Sequence, residues 1–540
     1  MTRLNQEIKE GITEAHNALF VGEDWSVPPR LNRQDSHQSL NPHVPDIFDL
    51  LESLIQGQAP QRSVADILVE LGTPILSIGV VNAGDISAKI IGLPKPRVAK
   101  SILGTEKSFD IDTLFQACSI SKSITALATI KLCQEGRLDL DTPICRYLTP
   151  QQFSWICTPK THEFVSRITL RHLLSHTSGL SAHGFYGYRT AQLPSVQQML
   201  TGSPPANHEP ISLSHIPGQK YSYSGGGFTV IQLVLETVLQ KPFNEVMDET
   251  ILRPLGMTRS TYKVLSVAGE NYAPAHLTGK VKANPDHHIM PESAAAGLWT
   301  TPNDLLKAVL AVQRSLQSDV YLERAWAEEM LAEVEDNEMA LGWMVQKDGF
   351  CFYHHGSNEP GYRASLIGYA DLKRGNRRET ADTYNRKGGD SVGRENERRN
   401  IPNDCGMAVM ANSNLGELAI GKILSAIAYL KGWPIMSSWY TVVPFVDRDK
   451  SVDQRAKDWS GDWGPGNWSL VYENGLFLKL GNSTKACLVP AAIPPNVYEK
   501  ETSIDLVVDG LEMMLRLGWR EGSRIIELWQ NRAITILERR

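Results

Sequence analysis

Long uninterrupted hydrophobic runs are missing from this 540-residue sequence. Its longest apolar stretches, at 74–81 and 423–430, fall far short of the roughly 20 residues that a membrane-spanning helix needs. Residues 1–10 alternate polar and charged side chains, and they lack the apolar core, about 7–15 residues long, of a secretory signal. We therefore expect no membrane span and a cytoplasmic protein.

The sequence also lacks paired cysteines and a strong charge of one sign. Its seven cysteines are scattered, without the C-x-x-C spacing of zinc or redox sites, which predicts free and mainly structural thiols. A net charge of -6 gives no reason to expect nucleic acid as a partner. The contents of 42% hydrophobic and 21% charged residues are typical of a folded globular protein.

Changes in composition along the chain predict its division into parts. The chain is too long to fold around a single hydrophobic core of ordinary size. Residues 1–45 are polar and interrupted by proline, which predicts an extension, and 46–435 form the large domain. Within that domain, 371–403 is highly charged with almost no apolar residues; we expect an exposed insertion, whose charges are more often solvated than used for docking. Residues 440–540 alternate polar and apolar side chains, which predicts a small antiparallel β domain.

Helical and strand patterns both occur in the large domain. Two β-branched runs are joined by Asn82-Ala83-Gly84-Asp85, a composition typical of a hairpin turn. Thr301 precedes a proline and an acidic residue, as in a capped helix start. Strands are predicted at 75–81, 86–91, 363–370 and 406–411, and helices at 46–55, 63–71, 119–135, 301–310 and 418–430. The order predicts a sheet built from both ends of the domain and flanked by helices.

A candidate nucleophile stands at the start of a predicted helix. Ser119-Ile120-Ser121-Lys122 sets a hydroxyl and an amine three residues apart, on one helical face. A serine hydroxyl needs a base to remove its proton, and a lysine can serve only if its pKa falls from about 10.4. The S-x-x-K pattern alone is weak, because surface helices contain it by chance with the serine as a cap and the lysine solvated.

Two further motifs follow in the chain. Tyr221-Ser222-Tyr223-Ser224 comes directly before Gly225-Gly226-Gly227, which we interpret as a turn before a helix beginning near Val230. Later, His354-His355-Gly356-Ser357 introduces the strand predicted at 363–370. The order is therefore S-x-x-K, a tyrosine before a glycine run, and H-x-G.

In this order the motifs resemble those of the serine β-lactamase and penicillin-binding-protein superfamily, and within it the class C and esterase branch. The blocks at 173–180, 254–257 and 296–302 are also similar to family blocks, so the resemblance covers about residues 70–430. It implies an α/β (α+β) fold, with an antiparallel sheet flanked by helices and an all-helical subdomain. The C-terminal β domain is similar to a small barrel that some members append.

The resemblance also implies roles for particular residues. Ser119 would attack a carbonyl, while Lys122 and Tyr223 share proton removal and return, and either of them could be the formal base. The backbone amides of Ser119 and Ser357, which follows Gly356, would bind the oxyanion. His354 would stand where many relatives carry a lysine.

Two departures from the family pattern limit the expected substrates. Gly225 stands where penicillin-active relatives have an asparagine, and His354 replaces the lysine that helps to hold an acidic group. Efficient β-lactam hydrolysis is therefore not expected, whereas esterase and acyltransferase branches share both changes. Tyr221 competes with Tyr223 for the tyrosine role, and we favour Tyr223 because it directly precedes the Ser-Gly step.

Other patterns in the sequence do not support a zinc site or a phosphate-binding loop. His172 and His176 have the spacing of helical zinc ligands, but no H-E-x-x-H motif accompanies them, so we interpret them as core or surface histidines. The glycine run lacks the Lys-Ser/Thr ending of a phosphate-binding loop.

The sequence therefore predicts a serine hydrolase or acyltransferase that acts through acyl-Ser119 on an ester, thioester or amide of a small molecule, secondary metabolites included. Its partners would be that acyl substrate and, for transfer, an acyl acceptor; no cofactor or metal is expected, and the oligomeric state is left open. The alternative is a non-catalytic scaffold of the same fold that binds a partner through the charged insertion or the C-terminal domain.

Overall fold

The computed structural model describes residues 46–58, 68, 73–92, 109–265, 270–277, 282–334, 338–346, 350–372, 403–434, 451–473, 475–480, 485–491, 503–508, 513–520, 522–530 and 533–539. The predicted N-terminal extension lies outside these residues, as do nearly all of the charged insertion and of the helix predicted at 63–71. From Asp46 onward the chain forms one compact unit, so the predicted boundary at 435–440 stays a prediction.

A six-stranded antiparallel sheet organises the large domain. Its strands are β1 (Ile75–Asn82), β2 (Asp85–Gly92), β5 (Met344–Val345), β6 (Cys351–Asn358), β7 (Tyr362–Tyr369) and β8 (Gly406–Ala411), in the order β2-β1-β8-β7-β6-β5. Strands β3 (Phe115–Gln116) and β4 (Trp299–Thr300) form a separate pair. Because β1 pairs with β8, the two ends of the domain meet in one sheet, as the sequence predicted.

Helices cover both faces of this sheet. Alternating side chains of a strand point to opposite faces, and in β1 Ile78 and Val80 belong to one buried cluster whereas Val81 belongs to the other. The helix Pro302–Gln317 contacts β1, β7 and β8, and the helix Gly416–Lys431 contacts β7 and β8. Further helices span Ile47–Gln58, Ile120–Gln134, Pro150–Ser154, His162–Val165, Leu170–Leu174, Val196–Thr201, Gly225–Leu239, Phe243–Met247, Ser293–Ala296 and Arg324–Met330.

Local sequence signals account for several of these boundaries. The hairpin turn between β1 and β2 uses Ala83 and Gly84, both with positive φ. The Thr301 side chain accepts a hydrogen bond from the Asp304 backbone, and the following helix runs to Gln317, seven residues beyond the predicted end. Among the helices that the structure describes, none combines the length and the apolar character needed to cross a membrane.

The C-terminal part forms a closed barrel of eight antiparallel strands. These are β9 (Gly461–Gly464), β10 (Trp468–Tyr472), β11 (Leu476–Leu480), β12 (Ala486–Pro490), β13 (Ile504–Val508), β14 (Met513–Arg520), β15 (Ser523–Gln530) and β16 (Ala533–Arg539). Pairing of β9 with both β10 and β16 closes the barrel. Its interior holds Trp463, Leu470, Leu515 and Leu537. The predicted fold class is therefore confirmed, including the small antiparallel β domain.

Candidate active site

Ser119 immediately precedes a buried helix, Ile120–Gln134, which we call the nucleophile helix. Nearly every side chain of this helix is buried, so the helix is fixed in the core, and Ser119 is half-buried at its N-terminal end. The preceding residue, Cys118, has a φ of 53°, an uncommon conformation for a residue with a side chain. That backbone turn brings the chain from β3 into the nucleophile helix at the hydroxyl-bearing residue.

Lys122 lies one helical turn after Ser119 and is 2% exposed. Its Nζ atom donates hydrogen bonds to the hydroxyl of Ser119, at 3.2 Å, and to the carbonyl of Ala295, at 2.9 Å. Burial lowers the pKa of Lys122 to about 7, with only the neighbouring Cys118 acting in the opposite direction. A large fraction of this amine is therefore unprotonated at neutral pH and able to accept a proton.

Tyr223 completes the group around Ser119. Its phenol interacts with the Ser119 side chain, and its ring centroid lies 5.0 Å from the Nζ atom of Lys122. Burial raises the pKa of Tyr223 above its ordinary value, so this phenol keeps its proton at neutral pH. Tyr221 is half-buried, and its ring lies 6.2 Å from that of His176. The structure thus brings Ser119, Lys122 and Tyr223 together.

His176 also belongs to this group, although the sequence predicted only a core or surface histidine. It is fully buried, and its ring stacks on Tyr223 at 4.2 Å between centroids. Burial, followed by the charge of Lys122, holds the pKa of His176 well below its ordinary value, so the ring is neutral. The position of His176 in the family-like block 173–180 was the sequence signal that could have indicated a place near the site. Local sequence patterns, however, do not predict a contact with residues almost 50 positions later.

His354 lies in strand β6, with its ring centroid 6.3 Å from that of Tyr223. Burial lowers the pKa of His354 to about 3, and the charge of Lys122 adds to the effect. The Nδ1 atom lies 2.6 Å from the carbonyl oxygen of His355, which makes Nδ1 the protonated nitrogen. His354 is therefore uncharged at neutral pH.

The H-x-G motif is itself part of a strand, whereas the sequence indicated only the following strand. Residues Cys351–Asn358 pair with Tyr362–Tyr369, starting from a tight connection at 359–361. Gly356 passes so close to the nucleophile helix that an added Cβ would lie 2.5 Å from the carbonyl oxygen of Ala117 and 3.0 Å from the amide nitrogen of Ser119. Ser357 is the next residue, with an exposed side chain. The oxyanion role of the two amides stays a prediction.

The glycine run begins a helix, so the prediction of a turn followed by a helix near Val230 was wrong. The helix spans Gly225–Leu239, and the Ser224 hydroxyl accepts a hydrogen bond from the Gly227 amide at its start. The carbonyl of Ala182 accepts hydrogen bonds from the Gly225 and Gly226 amides. An added Cβ would lie 2.9 Å from the Phe185 ring at Gly225, and 2.5 Å from the Ser181 carbonyl oxygen at Gly226. Glycine is needed because the 181–185 loop packs directly on the helix start.

Comparison with known proteins supports the fold. The chain is 24% identical over 255 residues to Protein flp of Staphylococcus aureus, covering 45% of this chain and 48% of flp, so the chain spans about half the length of that relative. The crystal structure of SurE has a TM-score of 0.50 at 18% identity, covering 92% of this chain and 99% of SurE.

The structure of the octameric penicillin-binding protein homologue from Pyrococcus abyssi gives the same TM-score of 0.50 at 20% identity, covering 90% of this chain and 99% of that protein. At such identities the structural likeness establishes the fold alone. The family model described as Beta-lactamase matches residues 69–425. This match covers all six strands of the sheet and all the residues gathered around Ser119, and the chain therefore belongs to the Beta-lactamase family.

Proposed function

We propose that this protein is a serine hydrolase or acyltransferase that forms an acyl intermediate on Ser119. The observation that carries the proposal is the 3.2 Å separation of Lys122 Nζ from Ser119 Oγ, in surroundings that lower the pKa of Lys122 to about 7. An exposed lysine would be almost fully protonated at neutral pH and could not remove the hydroxyl proton. The substrate is an ester, thioester or amide of a small molecule.

The reaction begins with proton transfer from the Ser119 hydroxyl to the Lys122 amine. Oγ then forms a bond with the carbonyl carbon, and the carbonyl π electrons move to the oxygen. When the tetrahedral intermediate collapses, the bond to the leaving group breaks, and the leaving group takes a proton from the Tyr223 phenol. The Lys122 ammonium returns a proton to Tyr223. Water or an acceptor hydroxyl or amine then releases the acyl group by the same steps in reverse.

An uncharged substrate is favoured over a β-lactam carboxylate. His354 is neutral at ordinary pH because its pKa is about 3, so it offers no fixed positive charge to an acidic group. The ring of Phe185 fills the space next to Gly225. These features support an esterase or transacylase rather than an efficient β-lactamase. Whether water or another acceptor takes the acyl group depends on which of them enters the site.

Covalent labelling tests the proposal. The intact protein is incubated with a fluorophosphonate probe and with a chromogenic ester, followed by intact-mass measurement and peptide mapping. We expect one adduct, on Ser119, and loss of both labelling and turnover in Ser119→Ala. Ser121→Ala is the matched control, because the Ser121 hydroxyl already donates to the Cys118 carbonyl, at 2.6 Å, and should not react. Ester turnover that survives in Ser119→Ala would contradict the proposal.

A further inference from the structure

His176 has an unusual backbone conformation at the edge of the group around Ser119. It follows the helix Leu170–Leu174 and has a φ of 58°, in the left-handed region. For a residue with a side chain this conformation has a free-energy cost, although histidine adopts it more often than most residues do. Such a conformation persists only where the surrounding contacts determine it, and it recurs at functional sites.

His176 contacts Tyr223 and also the residues directly before and after Tyr223 in the chain. The amide of Ser222 donates to the His176 carbonyl at 2.8 Å, and the amide of Ser224 donates to His176 Nδ1 at 3.0 Å. Between them, the Tyr223 ring stacks on the imidazole with centroids 4.2 Å apart and planes inclined by 30°. One residue therefore fixes both backbone neighbours and the ring of Tyr223.

These contacts also define the protonation state of His176. Because Nδ1 accepts a hydrogen bond from a backbone amide, the single ring proton is on Nε2. Protonation of Nδ1 would break the bond to Ser224 and would place a positive charge near Lys122. The pKa of His176 is held well below its ordinary value by burial and by that lysine, so the anchor is stable at neutral pH.

We propose that His176 is a positioning residue that aims the Tyr223 hydroxyl at Ser119, an inference that rests on the function proposed above. It has no reacting atom of its own. Its effect on acylation passes through Tyr223: without the Nδ1 acceptor the segment 222–224 loses an anchor, and without the ring Tyr223 loses its stacking partner. A misplacement of a catalytic group by about 1 Å can reduce the rate by about 10².

Two substitutions separate these contributions. His176→Phe keeps a ring for stacking but removes the acceptor, whereas His176→Asn supplies an acceptor and tolerates a left-handed φ but removes the ring. Each is made alone and together with Tyr223→Phe in the full chain. Single-turnover acylation by a p-nitrophenyl ester is measured together with the melting temperature. His172→Asn is the matched control, because the Nδ1 atom of His172 lies 3.2 Å from the Thr169 amide in a local helix cap.

We expect His176→Phe to slow acylation by about 10² and His176→Asn to slow it less. In the Tyr223→Phe background, either change should alter the remaining rate by less than about threefold, because effects that act through one group are not additive. His172→Asn should leave acylation unchanged. If a His176 substitution slows acylation by the same factor with and without Tyr223→Phe, the proposal is overturned. Unchanged acylation in both His176 variants would also overturn it.

Folding and function are distinguished in the same experiment. If neither His176 variant folds, His176 belongs to the stability of the core and the proposal is wrong. If the wild-type protein itself gives no acyl-Ser119, the proposed function fails instead. If the wild-type protein is acylated but the losses in the double variants are additive, only the positioning role of His176 is overturned.

Discussion

Lys122 donates a hydrogen bond to the backbone carbonyl of Ala295, at 2.9 Å, in addition to its contact with Ser119. A carbonyl fixes the amine without the full negative charge of a carboxylate, which would favour the ammonium form. The short helix that carries Ala295 is itself fixed, because Ala294 accepts from Thr125 and donates to Gln232. The amine is thus held in place while burial lowers its pKa.

The first prediction is a pH dependence of acylation governed by Lys122. With a pKa of about 7, the unprotonated amine increases as pH rises through 7. We expect kcat/KM for an activated ester to rise about tenfold per pH unit well below pH 7 and to level off above it. A stopped-flow series from pH 5 to 9 measures this profile.

Variants of Lys122 complete that test. Lys122→Ala should reduce acylation by roughly 10²–10⁴ while the protein stays folded. Lys131→Ala is a control on the same helix, since the Lys131 side chain pairs with Glu135 at 3.5 Å, away from Ser119. A rate that keeps rising to about pH 10, as for an ordinary lysine, would contradict the assignment of the base.

The second prediction concerns the two tyrosines. Tyr223→Phe removes the hydroxyl that interacts with the Ser119 side chain but keeps the ring, so acylation should fall by roughly 10² or more with little change in melting temperature. Tyr221→Phe should be nearly neutral. Single-turnover acylation of both variants gives the comparison directly. Equal, small losses would mean that Lys122 works without a tyrosine partner.

The third prediction uses the close approach of β6 to the nucleophile helix. Gly356→Ala would place a methyl carbon 2.5 Å from the Ala117 carbonyl oxygen, so the backbone around Ser119 must move. We expect a loss of roughly 1–3 kcal/mol in stability together with slower acylation. Gly518→Ala, where an added Cβ meets nothing within 4 Å, is the matched control. Thermal unfolding and ester turnover of both variants provide the measurements, and a Gly356→Ala protein as active as wild type would argue against this close contact.

Local patterns predicted much of the fold. The hairpin at 75–91, strand β8 and the nucleophile helix follow from β-branched runs, turn residues and helical spacing within a short window. The family resemblance brought Ser119, Lys122 and Tyr223 into one expected site, and the structure brings the same three together.

What the sequence failed to predict depends on contacts between distant segments. Glycine disfavours helices, so Gly225–Gly227 indicated a turn. In the fold, the 181–185 loop packs so closely against Gly225 and Gly226 that a Cβ at either position would clash with it. His176 likewise accepts a hydrogen bond from the Ser224 amide, 48 positions along the chain. Secondary-structure propensity reflects neighbouring residues in the sequence, so it does not predict these contacts between distant segments.

The last prediction concerns a buried ion pair behind the 181–185 loop. Glu292 is fully buried, and its carboxylate lies 3.5 Å from Nε2 of His208, whose ring packs against Phe185 at 4.9 Å between centroids. Burial lowers the pKa of His208, but the attraction of the Glu292 carboxylate and the hydrogen bond from Nδ1 to the Glu209 carbonyl outweigh it, so the net pKa is raised. A protonated His208 therefore stabilises the folded protein.

The sign of the pH dependence follows from this raised pKa. The stabilisation is fully present below the ordinary histidine pKa, about 6.5, and is lost as pH rises through the higher pKa of the folded state. We expect His208→Gln to lower stability at pH 6 by roughly 1–3 kcal/mol, the usual cost of leaving a buried polar group without its partner, and by less at pH 9. Melting temperatures of wild type and variant at both pH values measure the difference, with the exposed His162→Gln as control. A destabilisation by His208→Gln that is the same at pH 6 and pH 9 would show that His208 acts through packing against Phe185 and not through its charge.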